Sequence, residues 1–593
     1  MPTWFARRVL DLVGQLTDLY YRRKYGAMAQ RLGRPGIPPG DDAGGVRAAD
    51  GPGFILIQVD GLSHDHLMQA IRSGHMPHVS RLLATGRLTV APWRCGLPSS
   101  TPAVQAGMMF GDRFDIPGYR WYEKDRGEIV TPQRLEQIRT VSDRISSGHR
   151  GILTGGSCYV SMFDGDADLA LFTLTSLRRQ RFFESIRGIG LLVLFLLSPL
   201  RVLRVMGLTL MNYLRNLTRR VRALLRPGVL RPRDSLSPLL QALSSALFTE
   251  VQTFGIMLDI YRRVPAIYTN YTGYDEAAHR LGPDHPAAFR LLRGVDKRIL
   301  QINRMRALYR RRTYDLYLMS DHGNTPAVPF SWQSGRTLGE HILAEVGKGL
   351  SLGETVETDT HLRERARHLC EELQALEERG SPRFRGTLVA TRRRIDRRMR
   401  RSGTLDYNLE RQRDVIVSPS GSLAHVYFDV SERPLDLIEV MLVYPDLVDC
   451  LLKSPGIGAV IGRADEQTIV LGRDGGTLDI GGEQGIVAAP HPLAPYGEVA
   501  YTTAQVHRLA HFPHSGDLIL LGEVLPDGTA VTFEEQVATH GGMGGPQGRP
   551  FIAWPPERPL AAEALNDAED LYPYFMRHYQ AREAEADRPA GGT

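Results

Sequence analysis

Among the acids and histidines of this 593-residue chain, six fall where an α/β fold places its chemistry and are of the types that hold divalent cations. Asp60 closes the apolar run Gly53-Phe-Ile-Leu-Ile-Gln-Val. Asp275 and His279 follow the β-rich stretch Ala-Ile-Tyr-Thr-Asn-Tyr after Pro265. They stand four apart, so one helical turn would put both on one side. Asp321 and His322 close Tyr314-Asp-Leu-Tyr-Leu-Met-Ser, where nothing structural calls for two adjacent ionisable groups. His540 lies in the glycine-rich loop Ala538-Thr-His-Gly-Gly-Met-Gly-Gly. Carboxylate with neutral imidazole is the donor set of zinc or a similar divalent ion. Two such ions roughly 4 Å apart would clamp the attacking and leaving oxygens of a displacement at phosphorus.

A nucleophile for that displacement is offered by Pro98-Ser-Ser-Thr-Pro-Ala-Val-Gln-Ala-Gly-Met-Met-Phe-Gly111, a charge-free segment that opens with hydroxyls. Hydroxyls at a loop-to-helix boundary are ordinary N-caps, just as an Asp-Gly is ordinarily a turn and a lone His ordinarily structural. The ligand-type residues elsewhere favour the sharper reading: Thr101, with Ser100 as second choice, is aimed by a helix N-terminus at a phosphate. Ser99 or Ser100 is left to cap that helix.

The elements that must position these groups read as strands alternating with helices. Runs ending at Asp60 and Asp321 are continuous and apolar, as strands buried on both faces of a parallel sheet are. Open α/β sheets carry their chemistry at the C-terminal ends of such strands. The expected fold is therefore α/β, with a mostly parallel central sheet flanked by helices. Residues 63–85 read as a helix, and short strands are expected at 87–92, 415–430, 455–472 and 551–554.

Composition bounds the rest. Hydrophobic residues make up 42% and charged ones 23%, a globular balance rather than a disordered one, and the formal net charge is +6. The four cysteines match no zinc spacing and read as free thiols. Residues 1–33 carry Trp4, Phe5, Val9, Leu10, Val13, Leu16 and Leu19 at helical spacing among basic residues, without the continuous apolar core of a signal peptide. A docking helix and a basic amphipathic helix on an anionic membrane both fit. Residues 34–53 read as a linker. Residues 169–264 break the strand–helix rhythm and read as a helical, Arg-rich insertion between two parts of the catalytic domain, 54–168 and 265–575. The thirteen uncharged residues Gly188–Leu200 are too few to span a bilayer, and from Thr175 to Arg233 there are thirteen arginines, no lysine and one acid. That one-signed pattern favours a membrane-surface element around 186–226 over a soluble helical cap. A specific nucleic-acid partner is not expected, since no reader motif is present. The expected location is the cytoplasmic side, with peripheral or monotopic membrane association. Residues 576–593 read as a flexible tail, and the oligomeric state is left open.

Taken in order, Val59-Asp60-Gly61, Pro98 to Gly111, Asp275-Glu-Ala-Ala-His279-Arg-Leu-Gly-Pro283, Ser320-Asp321-His322-Gly323 and Thr539-His540-Gly-Gly542 resemble the alkaline phosphatase superfamily, within it the type I phosphodiesterase/nucleotide pyrophosphatase group. The resemblance implies an alkaline-phosphatase-like core holding two divalent ions, Zn2+ or alternatively Mn2+. It implies Asp60, Thr101, Asp321 and His322 around one ion and Asp275, His279 and His540 around the other. It also implies Thr101 as the nucleophile, a phosphothreonine intermediate and a phosphate-ester substrate. Two positions depart from the group. Val104 stands where the family has a phosphate-binding Asn, and Ala278 where it has Gly. A phosphomonoesterase shares the same metal core, and a catalytically silent membrane-surface protein with this fold is the rival from another class. The nucleophile segment lacks the Cys/Ser-x-Pro-x-Arg sequence of sulfatases.

Overall fold

A computed structural model describes residues 51–132, 134–173, 207, 238–309, 312–346, 352–354, 415–481 and 486–580. Its centre is a seven-stranded sheet in the order Thr89–Pro92, Phe551–Trp554, Tyr314–Met319, Gly53–Val59, Ala266–Tyr271, Ser157–Ser161, Leu169–Thr173. All neighbours pair in parallel except Phe551–Trp554, which runs against the strands on both its sides. The three strands that deliver Asp60, Asp275 and Asp321 are the adjacent central three.

The central strand shows why its sequence has no polar face. Phe54 and Leu56 point into one apolar layer, with the helix Thr101–Phe110 and Phe575. Ile55, Ile57 and Val59 point into the other, with helices His64–Arg72, Pro77–Ala84 and Pro286–Leu308. Side chains alternate across a strand, so a strand covered on both faces must be apolar at every step. Gln58, fully buried, is the exception, and it accepts a hydrogen bond from the Tyr268 hydroxyl at 2.6 Å.

The stretch read as one helix over 63–85 is two, broken around Gly74 at φ +72. Leu169–Thr173, assigned from sequence to the insertion, is the edge strand of the central sheet. At the other end of that segment, Val251, Phe254, Ile256, Leu258 and Ile260 of helix Pro238–Arg262 lie in the main core. The excursion is therefore narrower than 169–264. The expected membrane element 186–226, the N-terminal helix 1–33 and the linker to residue 50 lie outside the described residues, apart from residue 207. Among the described residues no helix is long and apolar enough to cross a membrane. Residues 576–580, expected in a flexible tail, are part of the fold. Tyr579 donates to Asp315 at 2.7 Å, and buried Gln580 donates to the Ile152 carbonyl at 2.9 Å.

A second sheet of eight strands lies between Leu352 and Gly522, antiparallel except for its first pair. The hairpin Val415–Ser420/Leu423–Phe428 turns through Gly421 at φ +67. A Cβ on Gly421 would lie 1.7 Å from the His540 carbonyl. The glycine is thus what lets the hairpin tip press against the loop that carries His540.

Candidate metal centre

Asp60 follows directly from the central strand, and its backbone N–H bonds the Tyr271 carbonyl of the neighbouring strand at 3.2 Å. Asp275 lies in the first turn of helix Gly273–Leu281, with His279 one turn on and its Nε2 3.1 Å from Asp275 Oδ2. The helical turn that the four-residue spacing requires is present. Asp321 and His322, both fully buried, sit in the loop after Tyr314–Met319. The chain then forms Thr325–Pro329, and Ala538–Thr539 pairs with its first residues, Thr539 opposite Thr325. His540 is delivered by that pairing.

Thr101 is the first residue of helix Thr101–Phe110, after Ser100 in extended conformation and before Gly111 in the left-handed one. Its Oγ1 lies 3.2 Å from His322 Nε2. Neither expected cap is made. Ser99 Oγ donates to the Gly542 carbonyl at 2.8 Å, and buried Ser100 Oγ has no hydrogen-bond partner. Ser99 instead closes the site: its backbone exchanges hydrogen bonds with Gly541 at 3.3 and 3.0 Å, and its carbonyl receives His540 Nδ1 at 3.0 Å.

All six ligand-type residues and Thr101 are therefore in one place. Two groups of donor atoms each fall within 4.8 Å of one another: Asp60, Asp321 and His322, and Asp275, His322 and His540. His322 belongs to both, whereas the resemblance assigned it to one ion only. His279 joins the second group through Asp275. The His322 and His540 rings stack at 3.7 Å between centroids. A third cluster, Glu123, Asp125 and His514, lies elsewhere and is tied up by Arg144 and Arg126.

The three imidazoles share one hydrogen-bonding scheme. His279 Nδ1 faces the Ala538 carbonyl at 2.8 Å, His322 Nδ1 the Gly323 carbonyl at 2.9 Å, and His540 Nδ1 the Ser99 carbonyl. A carbonyl only accepts, so each Nδ1 carries the proton and each Nε2 is the electron-pair donor. Backbone carbonyls behind the rings are the usual support of metal-ligating histidines. Asp60 Oδ1 and Asp321 Oδ2 are buried oxygens with no hydrogen-bond partner. Burial pushes the Asp60 carboxyl well above the usual carboxylate range, and Asp321 and then Asp275 push it the same way. Burial would raise Asp275 too, but His279, followed by His540 and His322, outweighs it and holds that carboxyl well below the range. Burial, then His322, lowers His540. Three buried carboxylates packed together form a costly arrangement without positive charge and a favourable one around cations. The residues present fit divalent-ion binding.

Sequence reasoning missed the polar residues that hold these ligands. Asn270 donates to Asp60 Oδ2 at 2.7 Å, and Asn324 donates to Asp275 Oδ1 at 2.7 Å and to the Gly61 carbonyl at 3.0 Å. Gly61 stands at φ +68, where a Cβ would meet Asp275 Oδ1 at 2.2 Å. The signals available were the glycine after Asp60 and the amide after Gly323. Val104, at the position of the family's phosphate-binding Asn, is fully buried in the apolar core.

Part of the chain also resembles a known family. Residues 225–477 match the family model of type I phosphodiesterase / nucleotide pyrophosphatase, a stretch that includes Asp275, His279, Asp321 and His322. Among solved structures, phosphonoacetate hydrolase from Sinorhizobium meliloti 1021 in complex with phosphonoformate is 14% identical, with TM-score 0.41, over 89% of this chain and 96% of that one. Human ectonucleotide pyrophosphatase / phosphodiesterase 5 is 10% identical, with TM-score 0.41, over 89% and 95%. No curated protein sequence matches the chain.

Proposed function

We propose that the chain is a two-metal phosphohydrolase acting on phosphodiesters, with Thr101 as its nucleophile. The observation that carries this reading is the clustering of the ligand-type side chains around His322, whose Nε2 lies 3.2 Å from Thr101 Oγ1. Asp60, Asp321 and His322 would hold one ion beside Thr101, and Asp275, His279 and His540 the other; zinc suits this nitrogen and oxygen set, with manganese as the alternative. When bound, such ions lower the pKa of a coordinated hydroxyl and neutralise charge on phosphate oxygens.

The chain's own residues do the rest. The helix Thr101–Phe110 presents Oγ1 at its N-terminus, where backbone N–H groups and the helix dipole favour an anion. Thr101 and Ala103 are the first-turn donors for phosphate oxygens, since Pro102 has no N–H and Val104 N–H is taken by the Ser100 carbonyl. Those donors take the place of the amide that Val104 cannot supply. Attack of Oγ1 on phosphorus expels the ester oxygen and leaves a phosphothreonine, which water then cleaves.

Turnover of bis-p-nitrophenyl phosphate, p-nitrophenyl phosphate and nucleotide esters, with and without zinc or manganese, tests the reaction class. Thr101→Ala is expected to abolish turnover while divalent-ion content stays unchanged. Full activity in that variant would reject the assignment, and preference for the monoester would favour the phosphatase reading. The one-signed arginines support peripheral membrane association through 186–226 and the N-terminal helix, on the cytoplasmic side. Deletion of 186–226 should move the protein out of the membrane fraction, and unchanged partitioning would refute this.

A further inference from the structure

Gly61 is gripped on both sides of its residue. Its N–H donates to Asp321 Oδ1 at 3.3 Å, and its carbonyl receives Asn324 Nδ2 at 3.0 Å. The second proton of Asn324 Nδ2 goes to Asp275 Oδ1 at 2.7 Å. Both partners of that nitrogen are acceptors, so the amide can be oriented in only one way. Asn324 is fully buried, and its own Oδ1 has no hydrogen-bond partner. Among the described residues the side-chain amide hydrogen-bonds only the groups it braces.

The brace joins two halves of the site. Asp321 is in the Asp60 group and Asp275 in the His540 group, while the four residues Asp321 to Asn324 connect them along the chain. Asn324 thus links the Asp275 carboxylate to Gly61, whose N–H in turn bonds Asp321. No Cβ fits at Gly61 to loosen the contact, because Asn324 Nδ2 would lie 2.5 Å from it.

We infer that Asn324 is a positioning residue that couples the two ion sites, so that filling the Asp60 group pre-orders Asp275 for the second ion. This rests on the two-metal reading above. Its energetic basis is that an outer partner of a metal ligand typically controls affinity by about 10–100-fold.

The test is titration of metal-free full-length protein with zinc, read by calorimetry and by bound-metal analysis rather than by activity alone. The wild type is expected to take up two ions in one cooperative step. Asn324→Asp keeps the shape and removes the donors; it should split uptake into two steps, with the second weakened about 10–100-fold. Asn324→Ala should behave likewise, and circular dichroism shows whether either variant is folded. Asn270→Ala, which touches only the Asp60 side, should weaken uptake without splitting it. Uptake of two ions by both Asn324 variants in the wild-type manner would overturn the inference and leave the two-metal reading standing. Uptake of fewer than two ions by the wild type would overturn both.

Discussion

Replacing Gly61 with Ala tests the site through one methyl group. The substitution has two costs that the structure separates. Residue 61 sits at φ +68, and an L-residue in the left-handed region costs about 1–2 kcal/mol. The added Cβ would also fall 2.2 Å from Asp275 Oδ1, 2.5 Å from Asn324 Nδ2 and 2.9 Å from Asp275 Cβ. Those atoms are buried and cannot swing into solvent, so the amide–carboxylate hydrogen bond is lost. A bond to a charged group contributes about 1.5–3 kcal/mol. Together these give about 2.5–5 kcal/mol. Gly74 is the matched control: it stands at φ +72 with nothing within 4 Å of a built Cβ. Gly74→Ala should cost only the backbone share, about 1–2 kcal/mol, and leave turnover unchanged. Urea unfolding of both variants measures the difference, and diesterase turnover should fall about 100-fold or more in Gly61→Ala alone, because Asp275 is displaced. Equal stability losses in the two variants, or turnover in Gly61→Ala within about three-fold of wild type, would show that Gly61 does not hold the ligand cluster together.

Two further outcomes follow from groups away from the site. His425 is fully buried; it receives the Gly516 N–H on Nδ1 at 3.0 Å and faces the Pro117 carbonyl with Nε2 at 2.9 Å. Burial pushes it down to about 4 from the ordinary 6.5. The folded state therefore binds fewer protons than the unfolded one: stability is complete above pH 6.5 and falls as the pH drops through about 4, by about 3 kcal/mol for this group. Unfolding free energies measured across that window should decline, and more shallowly in His425→Gln; identical slopes would refute the assignment. Tyr579 packs its ring 4.8 Å from Phe54 and hydrogen-bonds Asp315 and Tyr317. Tyr579→Ala should lower stability by about 2–4 kcal/mol in thermal unfolding, whereas a neutral result would show that residues 576–580 do not contribute to the core.

The ligand residues were legible because two-sided burial and ionisation conflict. An apolar run such as Phe54 to Val59 that ends in an acid has little reason to do so other than chemistry, and the same holds for Asp321-His322 after Tyr314–Met319. Two such signals in a chain of alternating strands and helices suffice for an α/β sheet with its site at the strand ends. Asn324 and Asn270 gave no comparable signal: an amide after a glycine is ordinary loop composition, and a single polar residue within a strand such as Ala266–Tyr271 is common. The edge strand Leu169–Thr173 was hidden for a similar reason: five residues are too few to show a period, and the arginine-rich segment after them dominates the window.

The sequence by itself determined which residue types reach the strand ends and, through the apolar runs, that a two-faced parallel sheet carries them. Only the tertiary structure decided how they share the work. The strand order sets the three acid-bearing strands side by side, the pairing of Thr539 with Thr325 brings His540 across more than two hundred residues, and the carbonyls of Ala538, Gly323 and Ser99 turn every Nε2 inward. Periodicity is a local property of the chain. Register between distant strands, and the side of a ring that meets a carbonyl, arise only when those strands pack.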